Sequence, residues 1–522
     1  MASIPITGVP STYRVPGGYT EILFAQGPST AAAAARDVIF VMPKLAATGS
    51  YSANKVYRVK NEQDVITGAG AGSPLHRAVR KFLMANNIAR VFALPYLPSS
   101  GGMGLVSAQL TVTFANAATG TGVATVTICG EPNTIGIKSG DTAIAIATSM
   151  VAVINSKSWL PVSADNGGGT LAVITLTAKI AGASQNAHIR VRAEIAAGIS
   201  TTVATQNASD VDALGTGAAT AGVDGTTTEA TNLTTALAVI DAARYYYVVV
   251  SIEDSTKLGL VQTHIATKSL PIPGLRSVAI AASPLALASV QSLAIGRNYE
   301  RLQLVWQKNS EATREELAAN MAAIRQKYEQ RDSAFNFDSY ADRGDWLIPG
   351  CYRDADRPDG DDQNDAILDG ITCIATNDAG SYVVMSCTTR SKDATGNNDD
   401  FRATETHRIS VADEFVDTLL LRHALNYSNK KLASDELLPD GTVNFNQRLY
   451  PNVITPSNYA PFVRALLDEF NGQRLQNVAQ SKTGLRVVRD PNNGGRLEVG
   501  VDINAVDLFH QMTARVAEIS AA

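Results

Sequence analysis

Residues 229–250 read EATNLTTALAVIDAARYYYVVV. Leu233, Leu237 and Ile240 recur at the spacing of one helical face, and Tyr245–Val250 follows as an unbroken β-type run. The same unit repeats downstream. Leu258, Val261 and Ile265 mark a second helix before the strand Ser277–Ile280, and a third helix opening at Ser283 and Pro284 precedes Leu302–Trp306. Three helix–strand units in succession predict a largely parallel sheet with helices packed on it. A fourth helix starts at Thr313, with Glu316 completing a capping box and Leu317, Met321, Ile324 and Tyr328 on its apolar face.

The α/β pattern also stands upstream. Val38–Met42 reads as a buried strand, and Arg90–Pro95 as the next one. Between them Ser73 as N-cap and Pro74 at the first helical position open a helix carrying Leu75, Val79, Phe82 and Leu83. The pattern stops near Gly101 and resumes near Thr228. The stretch 106–225 is rich in Ala, Thr and Gly, with β-like runs at Leu110–Phe114, Val123–Ile128, Leu171–Thr177 and His188–Ile195. One helix interrupts it, opened by Asp141 and carrying Ile144, Thr148, Val151 and Ile154. This is the composition of a small β-rich domain inserted at a surface loop of an α/β host.

A third region starts near residue 371. Ile371–Thr376 and Tyr382–Thr389 form a hairpin around Asn377–Gly380. Ser410 caps a long helix with Asp413, Glu414 and Asp417 early and Lys430 and Lys431 near its end, which suits the helix dipole. Its apolar face is Val411, Phe415, Leu419, Ala424 and Tyr427. A further helix carries Phe462, Leu466 and Phe470 and ends at Gly472. A last hairpin, Leu485–Arg489 with Arg496–Val501, turns at Asn492–Gly495. The fold class is therefore α/β and α+β multidomain. An N-terminal arm spans 1–30, the α/β body 31–105 plus 226–370, the inserted β-rich domain 106–225, a mixed α+β C-terminal domain 371–504, and a C-terminal arm 505–522.

The two ends read differently from the domains. Tyr19, Glu21, Ile22, Leu23 and Phe24 lie in a short extended stretch after the turn Pro16–Gly18, and a lone strand has no partner for its backbone groups. At the other end Leu508, Met512, Ala514 and Val516 alternate with polar residues as a strand would, yet Phe509, Met512, Val516 and Ile519 also fit a helix.

The 522 residues suffice for three or four domains of roughly 150 residues each. With 45% hydrophobic and 18% charged residues the composition is globular, and a net charge of -5 without a long basic cluster argues against nucleic-acid binding. The start MASIPITGVPSTYRVPGG does not read as a signal peptide, and no apolar run approaches the ~20 residues of a membrane span. Cys129, Cys351, Cys373 and Cys387 lack CxxC spacing and read as reduced, buried residues from a cytoplasmic fold.

No motif carries catalysis. Gly68–Gly72 precedes a helix but lacks the Lys-Ser/Thr of a phosphate loop, and Ser73 takes the third glycine position of GxGxxG, so it reads as a turn. Asp354–Asp362 puts Pro358 and Asp359 where a calcium loop needs a ligand and a glycine, which leaves a solvated acidic loop. The six histidines form no HExxH, and no GxSxG elbow is present. No catalytic residue, cofactor or metal is expected.

Taken in order, the features resemble the contractile bacteriophage tail sheath proteins of the Mu-like branch. The resemblance rests on Arg14–Tyr19, on the turn Gly68–Leu75, on the insert closing at Gly222–Gly225, and on Asp369–Thr372 before Asn377–Gly380. It continues through Lys430–Leu432, Val453–Pro456 and the terminal hairpin. It implies a structural subunit of the virion tail, assembled in the host cytoplasm as stacked hexameric rings around a tail tube. The sheath is metastable when extended, and its contraction drives the tube through a bacterial envelope. The implied partners are the chain itself, the tube protein, and baseplate and terminator proteins, with no direct nucleic acid and no membrane insertion. The resemblance places the C-terminal domain nearest the tube, and both arms as strands added to a small sheet on neighbours. It puts tube contacts on a C-terminal-domain helix, where Asp413, Asp417, Lys430 and Lys431 are the candidates. A phage-derived, pyocin-type particle would share this subunit. The rival readings are an α/β enzyme with an accessory β domain, and a surface adhesin.

Overall fold

The computed structural model describes residues 16–18, 20, 36–100, 105–196, 198–209, 211–252, 254–340, 344–351, 353–393, 399–400, 403–444 and 451–510. The chain divides into two compact units. One holds Ala35–Arg331 and Tyr340–Thr406, and the other holds Met1–Ala34, Asp332–Ser339 and His407–Ala522.

The larger unit is built on an eight-stranded sheet. Its spatial order is Gly380–Met385, Thr372–Asn377, Leu302–Trp306, Val278–Ser283, Tyr247–Val250, Val38–Pro43, Val91–Tyr96 and Tyr57–Val59. The six inner strands are parallel and the two outer ones antiparallel. Each strand after Tyr247–Val250, through Thr372–Asn377, lies beside its predecessor on the same side. Of the helices along this path Arg314–Glu329 lies with Pro74–Ala85, and Glu229–Val239, Ser255–Lys268, Leu287–Arg297 and Gly360–Leu368 share the other face. There Leu233, Leu237, Leu258, Val261, Val290, Ala294 and Ala366 bury against Ile39, Val41, Val248, Ala279, Leu304 and Trp306. The path from Val38–Pro43 to Val91–Tyr96 runs the other way and puts helix Pro74–Ala85 on the opposite face. Phe82 meets Phe40 there edge-on at 5.5 Å between ring centres.

The expected helices form, with local differences. Ser73 Oγ accepts from the His76 amide, and the capping box of Thr313 and Glu316 is made. The third helix begins at Leu287 rather than at Ser283, because Ser283 is the last residue of its strand and fully buried. Helix Arg314–Glu329 is buried almost all round rather than on one face. Gly70 and Gly72 have φ of 91° and 83°, as a turn after helix Glu62–Ala69 requires. The acidic run forms a 3-10 turn at Asp354–Asp356 and then helix Gly360–Leu368, whose N-cap is Asp359. All four cysteines are free and buried.

The hairpin Thr372–Asn377 with Gly380–Met385 corrects the expected domain plan. Val305 pairs with Thr372 in parallel, so the hairpin extends the body sheet instead of opening a C-terminal domain. The second unit takes over only at His407.

The insert folds as two four-stranded antiparallel sheets. One runs Thr202–Thr205, Ser107–Ala115, Val173–Ala181, Val162–Asp165, and the other Asp212–Ala213, Arg190–Ile195, Gly122–Ile128, Glu131–Ile137. Helix Ala143–Ser156 is capped by Thr142, not Asp141, and buries Ile146, Ala147, Met150 and Ile154. Ile144, expected on the buried face, is exposed. The sequence AIAIATSMVAVINS is apolar nearly all round, so spacing alone cannot choose its face.

The second unit packs helix Thr406–Tyr427 against helix Pro456–Phe470 through Val411, Phe415, Leu419, Val463, Leu466 and Phe470. A hairpin of Arg486–Arg489 and Leu497–Gly500 lies against this core through Val487, Leu497 and Val499. Ser410, expected as the N-cap, sits inside the long helix and is fully buried. Ala424, expected on the apolar face, is exposed.

Candidate assembly site

The terminal hairpin has a backbone geometry suited to taking up further strands. The Asp490 amide donates to the Arg496 carbonyl at 3.0 Å, which makes that pair a hydrogen-bonded rung. Rungs alternate in an antiparallel pair, so Arg489 with Leu497 and Val487 with Val499 turn their amides and carbonyls toward the outer edges. Among the described residues no third strand pairs with either edge. Such edges are templates for strand addition unless something covers them.

The C-terminal segment is pinned beside this hairpin before it continues. Ala505 bridges Leu475, the Gln476 amide donates to Asn504 O at 3.2 Å, and the Val506 amide to Arg474 O at 3.0 Å. Arg408 pairs with Asp507 at 2.7 Å, and His407 Nε2 lies 3.0 Å from Val506 O. The arm expected from residue 505 is therefore fixed to its own unit through Asp507. Leu508 follows, half-buried and in neither strand nor helix, and Phe509 is 77% exposed. Met512, Ala514 and Val516 lie outside the described residues, as do Tyr19, Glu21, Ile22, Leu23 and Phe24.

The four candidate tube contacts separate. Asp413 is fully buried, so it is no surface contact, which corrects that expectation. Its helix turns that side into the unit, where Thr418 is also fully buried and Glu414 lies 3.5 Å from Arg474. Asp417 is partly exposed, and Lys430 and Lys431 are exposed. Lys430 Nζ lies 5.6 Å from the Tyr427 ring centre, and Lys431 pairs through its backbone with Val453. Sequence reading missed Leu421 and Leu425, which are 49% and 74% exposed on the same helix. Their i, i+4 spacing was the available signal. Beside them Arg422 makes a two-pronged pair with Glu469 at 2.6 and 2.8 Å.

The place where a doubly wound enzyme would bind a ligand is put to another use. Strand order reverses between Val38–Pro43 and Tyr247–Val250. Next to that point strand Val91–Tyr96 runs into the neck of the insert, whose two chains pair at Ser100 with Thr227 and at Val106 with Val223. Glu229, where the neck returns, accepts from Tyr96 Oη at 3.0 Å and from Lys257 Nζ at 2.8 Å. These groups are spent on each other and on holding the insert. The insert is clamped further on, where Arg314 meets His188 Nε2 at 2.8 Å and Ser184 O at 2.7 Å, and Arg190 meets Asn309 at 2.7 Å. Among the described residues no three His, Cys, Asp or Glu side chains gather as metal ligands, and no helix is long and apolar enough to cross a membrane.

No family model matches the sequence. Over 519 residues, however, it is 25% identical to the Mu-like prophage FluMu tail sheath protein of Haemophilus influenzae, an alignment covering 97% of this chain and 98% of that one. Over nearly its whole length the chain is similar to a Mu-like tail sheath protein. The family resemblance read from the ordered motifs thus agrees with a relative aligned nearly end to end. The crystal structure of the sheath tail protein from Desulfitobacterium hafniense is also similar, at 14% identity and a TM-score of 0.44, over 94% of this chain and 100% of that one. The tail sheath relative is a structural protein of a prophage tail by name, in line with a non-catalytic reading.

Proposed function

We propose that this chain is the structural subunit of a contractile tail sheath. It polymerises as stacked hexameric rings around a tail tube, is held in a metastable extended state, and contracts to drive the tube through a bacterial envelope. Its place is the virion tail, after assembly in the host cytoplasm. Its partners are further copies of itself, the tube, and the baseplate and terminator proteins. The near end-to-end alignment with a tail sheath protein carries this reading.

The open hairpin supplies its physical support. Strand addition satisfies main-chain groups with little demand on side chains. At a net ~1 kcal/mol per hydrogen bond, a few bonds per arm repeated around a ring would tie a lattice together. In this reading the arm residues Tyr19, Glu21, Ile22, Leu23 and Phe24, and Leu508, Met512, Ala514 and Val516, reach the hairpin edges of neighbouring subunits. Asp417, Lys430 and Lys431 face the tube, through contacts that salt screens and contraction can release. A pyocin-type particle would use the subunit in the same way.

Deleting 1–27 or 508–522 tests the arms. Each truncated chain should remain a small species in sedimentation velocity at concentrations where the full chain polymerises. Normal polymerisation of either would contradict the arm mechanism.

A further inference from the structure

The chain passes between its two units at four places, at residues 34–35, 331–332, 339–340 and 406–407. On the larger unit's side these crossings are flanked by Arg36, by Glu329 with Gln330, by Tyr340, and by Thr406. All four are tied by polar contacts to one helix, Arg314–Glu329.

At the first crossing the Arg36 amide donates to Gln330 Oε1 at 3.0 Å, and Arg36 Nη1 to Glu329 Oε2 at 2.7 Å. Glu329 Oε2 also accepts from Tyr247 Oη at 2.6 Å, while Oε1 accepts from Arg325 Nε at 2.6 Å. From there the bonds run to the last crossing. Arg325 Nη1 donates to Gln303 Oε1 at 2.8 Å, Gln303 Nε2 reaches Thr372 Oγ1 at 2.8 Å and Ser386 Oγ at 3.1 Å, and Ser386 Oγ lies 2.9 Å from Thr406 Oγ1. The third crossing joins separately. Tyr340 Oη donates to Asp345 Oδ1 at 2.6 Å, and Asp345 Oδ2 accepts from Lys327 Nζ at 2.8 Å and Tyr328 Oη at 2.9 Å. Arg36, Gln303, Arg325, Glu329, Asp345 and Thr406 are all buried.

We infer that helix Arg314–Glu329 is a mechanical hub that fixes the four points at which the chain leaves the body, with Glu329 joining the first crossing to the last. Apolar residues could fill this volume with equal stability, whereas a satisfied polar network sets directions and distances. A pull on either end of the body would reach this one helix, and displacement would then fall in the connecting peptides rather than in the sheet. The inference does not depend on the sheath reading, because it concerns the isolated chain.

Hydrogen exchange of the full chain, read by mass spectrometry, tests it. In Glu329→Gln the peptides spanning 36–42 and 403–409 should both lose protection by about tenfold, with the insert and strand Val91–Tyr96 unchanged. In Gln303→Met only 403–409 should do so, and in Asp345→Asn only 338–348. The two milder variants keep the test alive if Glu329→Gln fails to fold. Unchanged protection at 403–409 in Gln303→Met, or an equal loss throughout the body in any of them, would overturn the hub.

Discussion

Arg77 Nη2 donates to Glu316 Oε2 across 2.7 Å, from helix Pro74–Ala85 to helix Arg314–Glu329. The same carboxylate oxygen accepts from the Thr313 amide at 3.1 Å, so one group both caps its helix and joins two helices under the sheet. Burial opposes its ionisation, but the Arg77 guanidinium and the Thr313 amide outweigh burial and hold its pKa below the ordinary value.

Removing that carboxylate strands a buried guanidinium. Glu316→Ala should destabilise by about 3–5 kcal/mol in urea denaturation, and Glu316→Gln by less because the cap survives. A depressed folded pKa means the stabilisation is present above the unfolded value of about 4.3 and is lost as the pH falls through the folded one. A loss under ~1 kcal/mol for Glu316→Ala would contradict this.

His188 makes the insert's clamp sensitive to acid. Its Nε2 can accept from Arg314 only as neutral imidazole, and burial, then Arg314, Arg190 and Lys257, hold its pKa well below the usual 6.5. Below about pH 6.5 the unfolded chain takes up this proton and the folded chain does not. Stability is therefore full above that value and falls by about 1.4 kcal/mol per unit below it. Burial shifts His76, His264 and His423 in the same direction. His188→Gln keeps an acceptor for Arg314 and should reduce the slope between pH 6 and 5 by about one histidine's share. An unchanged slope would place His188 outside this linkage.

Two glycines with positive φ should respond differently to alanine. A Cβ on Gly72 would stand 2.3 Å from the carbonyl of Leu160, whereas nothing lies within 4 Å of one on Gly140. Their φ values, 83° and 92°, impose similar backbone strain. Gly140→Ala should cost about 1 kcal/mol and Gly72→Ala at least roughly 3, compared by thermal unfolding. Equal costs would mean that the turn and the insert part easily.

Proline separates strand addition from hairpin stability. Val499→Pro and Val487→Pro each remove an amide that points to an outer edge, leaving the internal rungs intact. Both should fold, with unfolding midpoints within about 5 °C of the parent, and should polymerise poorly. Glu498→Pro removes an internal rung and should lose the hairpin itself. Normal polymerisation of both valine variants would exclude the hairpin edges as acceptors.

Much of the body was legible because its elements are local and periodic. The Thr313–Glu316 box, the cap at Ser73, and the strands Val38–Pro43 and Leu302–Trp306 follow from a few neighbouring residues. What escaped depends on distant partners. Thr372 joins the body sheet only because Val305 lies beside it, and Arg36 meets Glu329 across 293 positions of sequence. Asp413 looked like a dipole-matched surface residue until its helix turned it inward. At the candidate assembly site the hairpin was readable from its turn, but its outward-facing amides follow only from the register.

The central claim, that this chain builds a sheath, meets its most direct test in negative-stain electron microscopy of the purified full-length protein. Wide hollow tubes or stacked six-fold rings are the expected result. A chain that stays monomeric at high concentration would contradict it.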